Sequence, residues 1–104
     1  MDTEKTKDFL QNYLDAIITP RYNKIRAAMG FNPIEFNVLE IIEEDAWPPQ
    51  IFHIFLTTKP EIKKGRHLKP HTSLMMTKVE KDISDFLKMF SIDSPIRVHW
   101  NEGT

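Results

Sequence analysis

Positions 50 to 58 read Gln-Ile-Phe-His-Ile-Phe-Leu-Thr-Thr, apolar or aromatic at most places. The two-residue period of an extended chain puts Phe52, Ile54 and Leu56 on one face. Ile51, His53, Phe55 and Thr57 fall on the other. A strand that is apolar on both faces belongs in the middle of a sheet, with neighbours on either side. The rest of the chain must therefore supply two flanking strands and at least one cover.

The flanking strands are readable. Ile34, Phe36 and Val38 alternate with Glu35 and Asn37 after Asn32-Pro33. At Leu39 the apolar phase shifts and Ile41-Ile42 follows, which predicts a β-bulge or burial on both faces. Two prolines, Pro48 and Pro49, separate this strand from the central one and cannot sit inside a sheet. Near the C-terminus Ile96, Val98 and Trp100 alternate with Arg97, His99 and Asn101, predicting a last strand.

The cover is helical. Phe9, Leu10, Tyr13, Leu14, Ile17 and Ile18 recur at helical spacing. Asp2 or Thr3 can cap the start. Thr19-Pro20 interrupts the stripe, because proline lacks the amide hydrogen and crowds the preceding turn. This predicts either a kink or a second helix from Pro20 to Met29, capped by Thr19 and stopped at Gly30. Met76, Val79, Ile83, Phe86, Leu87 and Phe90 form another amphipathic stripe, over residues 74 to 91. The spacing Thr77-Lys78-Val79-Glu80 would let the regular helix begin only there.

The order is α (kinked)-β-β-α-β. It predicts an α+β two-layer sandwich, a three-stranded sheet with its helices on one face. With 104 residues the chain is expected to be a single domain, residues 1 to 104. Hydrophobic residues make up 40% and charged residues 28%, enough apolar content for one core and too much for a disordered chain. Cysteine is absent, which removes disulfides and thiolate chemistry. No apolar run reaches the length of a membrane span, and none follows Met1 as a leader would. These features lead to the expectation of a cytoplasmic protein, or a virion component if viral, with no membrane partner.

The formal net charge is −1, yet the charges are segregated. Glu35, Glu40, Glu43, Glu44 and Asp45 carry no basic residue among them. Lys59, Lys63, Lys64, Arg66 and Lys69 are opposed only by Glu61. A basic loop ahead of a helix N-terminus is a place for anions.

The element order resembles that of type II KH domains, ribosome-binding factor A and BolA-like proteins. For the KH domains that resemblance implies an RNA-binding module whose basic loop contacts nucleic acid through Lys63, Lys64, Arg66 and Lys69. The Gly-x-x-Gly that clamps nucleic-acid backbone in KH domains is absent, for Gly65 stands alone in Lys63-Lys64-Gly65-Arg66-His67.

Chemistry-bearing constellations are sparse. There is no phosphate-binding glycine loop, no dinucleotide fingerprint and no nucleophile elbow. His67 and His71 are four apart but separated by Pro70, and a zinc site needs three or four ligands. No metal or other cofactor is expected. His53 and His99 are expected to neighbour each other beside Phe55.

If the helices cover the face of Ile34, Phe36, Val38, Phe52, Ile54, Leu56, Ile96, Val98 and Trp100, the opposite face is left bare. That face is expected to carry Leu39, Ile41, Ile51, His53, Phe55, Arg97 and His99. An apolar patch with a polar rim has the anatomy of a protein interface. The expectation is a non-catalytic protein-interaction or assembly module, a subunit of a larger complex or viral particle, binding a protein partner or itself through this face.

Overall fold

A computed structural model describes residues 2–44, 51–62, 70–90, 92 and 94–100. The chain runs α1 (Thr3–Tyr13), a π-helical turn (Leu14–Ile18), α2 (Thr19–Ala28), β1 (Glu35–Glu44), β2 (Ile51–Lys59), α3 (Pro70–Lys88) and β3 (Ile96–Trp100). The fold class is the α+β one expected from the sequence, with β2 in the centre of a three-stranded sheet ordered β1-β2-β3.

β1 and β2 pair antiparallel, and β2 and β3 pair parallel. A parallel neighbour requires a crossover, and α3 provides it. The core faces of the strands and the helices enclose one cluster that includes Leu10, Leu14, Ile18, Phe36, Ile54, Leu56, Val79 and Ile83. Both halves of the first helix stay on this side. Ile18 is fully buried, and Tyr22 packs edge-on against Phe36 with ring centroids 6.4 Å apart. Neither half wraps to the other sheet face.

The Pro20 problem is solved without a break. The wider π turn directly precedes Thr19-Pro20, and it loosens the ladder where the proline ring would crowd the carbonyl four residues back. Thr19 is therefore not the N-cap expected of it. It is helical, at φ −58° and ψ −49°, and its buried hydroxyl meets no partner among the described residues. Asp2 does cap α1, accepting from the Lys5 amide at 3.1 Å. Gly30, at φ +83°, ends α2: its amide bonds Ala27 and the Phe31 amide bonds Arg26, the paired hydrogen bonds of a Schellman stop.

α3 begins at Pro70, well before the residue-77 start that the capping-box spacing allowed. Proline suits a first helical position, because the missing amide hydrogen would have had no partner there. Ile83 faces the core as its phase predicts. Phe86 instead stacks on Tyr13 of α1, centroids 4.2 Å apart, so it joins helix to helix and not helix to sheet.

The outer edge of β1 is closed by two amide side chains. Gln11 of α1 donates to the Phe36 carbonyl (3.2 Å) and accepts from the Val38 amide (2.7 Å). Asn23 of α2 donates to the Ile34 carbonyl and accepts from the Ile34 amide, both at 2.8 Å. A carboxamide carries a donor and an acceptor side by side, so each one imitates a neighbouring strand. The first helix thus covers the edge of β1 as well as its core face.

Candidate functional site

The second face of the sheet has no helix over it among the described residues. Its register follows from the strand pairing. Glu35 lies opposite Lys59, Asn37 opposite Thr57, Glu40 opposite Phe55, Ile42 opposite His53 and Glu44 opposite Ile51. On the other side Arg97 pairs with His53 and His99 with Phe55. Of the expected face residues, Ile51, His53, Phe55, Arg97 and His99 are therefore brought together.

Ile41 is not among them. The register shifts between Val38 and Glu40, so Ile41 pairs with Ile54, turns inward and is only 6% exposed. Its place outside is taken by Ile42, 41% exposed. Leu39 sits in the bulge itself and is 42% exposed. The phase shift was visible in the sequence, but which of two adjacent isoleucines turns inward depends on where the extra residue is absorbed.

At the centre is a connected polar and aromatic row. Glu44 Oε2 lies 2.6 Å from His53 Nε2, and His53 Nδ1 lies 2.8 Å from His99 Nε2. With Glu44 ionised, His53 donates from Nε2. A neutral His53 then accepts at Nδ1, and His99 donates to it. Phe55 stacks on His99 with centroids 4.7 Å apart and planes at 16°. The row can pass a proton between Glu44 and His99 through the His53 ring. It lies on an open strand surface.

The ionic character changes across the face. Glu35, Glu40 and Glu44 all project from β1 on this side, whereas β3 carries Arg97 and His99. Ile51 and Phe55 of β2 lie between them, and Ile42 lies on β1 between Glu40 and Glu44.

The other expected sites fare differently. Lys63, Lys64, Arg66 and Lys69, together with His67, lie outside the described residues. His71 stacks on Phe31, centroids 4.2 Å apart. No group of three metal-binding side chains occurs among the described residues, and no described helix is long and apolar enough to cross a membrane.

Sequence reasoning missed Glu44 as the partner of His53, and Gln11 and Asn23 as the closure of the β1 edge. Glu44 could have been found by counting the register back from the hairpin once the bulge was placed. Nothing in a helix sequence marks an amide destined for a strand edge.

No family model, no curated protein and no solved structure matches this chain.

Proposed function

We propose that this chain is a non-catalytic assembly module that pairs with a second copy of itself through the uncovered sheet face. The observation that carries the reading is that this face is bare among the described residues, while the described helices lie on the other face.

The edges argue for a face contact over strand addition. β1 is guarded by Gln11 and Asn23 over its first half. Its second half carries Glu40, Glu43 and Glu44, and charge on an edge discourages pairing. The described part of β3 has five residues, a short edge of the kind that offers little to a pairing strand.

The charge gradient selects the copy's orientation. A two-fold axis parallel to the strands lays β1 of one copy over β3 of the other. Glu40 and Glu44 of each then approach Arg97 and His99 of its mate, twice by symmetry. The perpendicular axis would stack like charges. A nine-residue central strand with two neighbours offers roughly 350–400 Å² of sheet per copy, which places the pair at the weak, reversible end of specific interfaces.

The test is size-exclusion chromatography with light scattering at low and high salt, with and without RNA. A concentration-dependent dimer that is indifferent to RNA and weakens with salt supports the reading. A monomer that shifts only when RNA is added points to the basic segment 59–69 and overturns it.

A further inference from the structure

On the opposite side of the molecule, away from the sheet face, α2 and α3 leave a groove of about 180 Å³ between them. Tyr22 and Met75, both buried, form its floor. Ile25, Met29 and Leu74 line its walls and are 50%, 52% and 56% exposed. Single exposed apolar residues are ordinary, but three converging on one depression mark a contact site.

The rim is basic. Arg26 and Lys78 border the groove beside His71, and no carboxylate among the described residues does. Arg26 is held in place: its Nε donates to the Asn32 carbonyl at 3.0 Å, and its guanidinium lies 5.4 Å from the Phe31 ring centre. Phe31 in turn stacks on His71, so one end of the groove is a three-layer stack. Asp82, one turn along α3 from Lys78, is engaged by the Tyr22 hydroxyl at 2.7 Å and by Arg21 at 3.3 Å.

The size of the groove narrows the occupant. Sites that enclose a small organic ligand run to about 300–1,000 Å³, whereas a cavity of about 150 Å³ admits one benzene ring. The groove therefore takes one or two side chains. Two helices flank it, and a third helix packs into such a furrow by setting its ridge between theirs. Side chains three or four residues apart on that helix would meet Ile25 and Met29 on one wall and Leu74 on the other.

We propose that this groove binds an acidic amphipathic helix of a partner protein, its apolar side chains seated over Tyr22 and Met75 and its carboxylates on Arg26 and Lys78. The site is independent of the sheet face.

The experiment uses the full chain and a fluorescent synthetic helix of about 18 residues, five turns, with leucine at every third or fourth place and glutamate on both flanks. A second helix carries lysine in place of each glutamate. Anisotropy should give a Kd on the order of 10–100 µM for the acidic helix and at least about tenfold weaker binding for the basic one. Amide shifts in nitrogen–proton spectra should map to Ile25, Met29 and Leu74. Leu74→Asp, at an exposed position, should keep the helical circular-dichroism signal and lose binding, and Lys78→Glu should erase the preference between the two helices. Equal binding of both helices, shifts that map to Phe55 and His99, or no binding of the acidic helix at about 1 mM would each overturn the proposal.

Discussion

Gln11→Ala tests whether a side-chain amide truly stands in for a fourth strand. Four hydrogen bonds vanish: to the Phe36 carbonyl (3.2 Å), from the Val38 amide (2.7 Å), and to the side chains of Asn37 (3.3 Å) and Asp15 (2.9 Å). Only the two backbone contacts carry much weight, because the Asn37 and Asp15 side chains can turn to water. Each such bond contributes about 0.5–1.5 kcal/mol net, and an amide left without a partner in this half-buried place costs about 1–3 kcal/mol. Water can reach part of the opened edge, so the expected loss is about 1.5–2.5 kcal/mol, the lower part of that combined range. For a chain of this size it lowers the melting temperature by roughly 6–20 °C, at about 4–8 °C per kcal/mol. Urea unfolding followed by circular dichroism measures it, and an unchanged m-value would show that the fold itself is retained. Gln11→Glu separates the two backbone contacts: the carboxylate still accepts from Val38 but meets the Phe36 carbonyl with no donor. It should lose stability too, and less of it as the pH falls and the acid regains a proton. A Gln11→Ala loss below about 0.5 kcal/mol, the size of an ordinary surface change, would refute the reasoning.

Other consequences follow from the same packing. Ile83 is fully buried under the sheet, so Ile83→Ala should cost about 2–5 kcal/mol in urea unfolding, against under about 0.5 kcal/mol for exposed Lys81→Ala; similar losses would contradict the phase of α3. The Tyr22 hydroxyl, pushed up to about 12 by burial and by its bond to Asp82, keeps its proton in the folded chain while an unfolded tyrosine loses it near pH 10. Its stabilisation is therefore whole below about pH 10 and falls by up to about 2–3 kcal/mol as pH rises towards 12, a slope that Tyr22→Phe should reduce, leaving the smaller part due to half-buried Tyr13, when urea midpoints are compared at about pH 9 and 11. Arg97→Glu would make both edges of the sheet face acidic and should weaken self-association at low salt without altering the unfolding midpoint; an unchanged dimer would contradict the proposed orientation.

How much of this was legible beforehand depended on whether the signal was local. The central place of β2 could be read because apolar side chains on both faces are written into alternate positions of one short stretch. The amphipathic phase of α3 could be read for the same reason, while its start was misjudged because Pro70 supports a helix whose first turn lacks an apolar pattern. The bulge was visible as a break in phase between Val38 and Ile41, yet its consequence for Ile41 and Ile42 required the partner strand. The π turn before Pro20 is a compromise between a stripe that continues and a residue that interrupts it, and sequence offers both outcomes. The row Glu44–His53–His99 joins three strands, so only its two histidines were foreseen. Gln11 and Asn23 act on backbone 25 and 11 residues away, and their role exists only once the helix is laid along the edge.

The central claim is that Phe55 lies on a face made for a second copy. The direct measurement is light scattering on Phe55→Asp beside the unmodified chain, over a range of concentrations, with circular dichroism on both. The account predicts a concentration-dependent dimer for the unmodified chain and a folded, more soluble monomer for the variant, because the new carboxylate stands in water when the face is bare. An unmodified chain that stays monomeric throughout would contradict the account. So would a variant that loses about 3 kcal/mol or more as a monomer, the penalty of a carboxylate forced into a covered site.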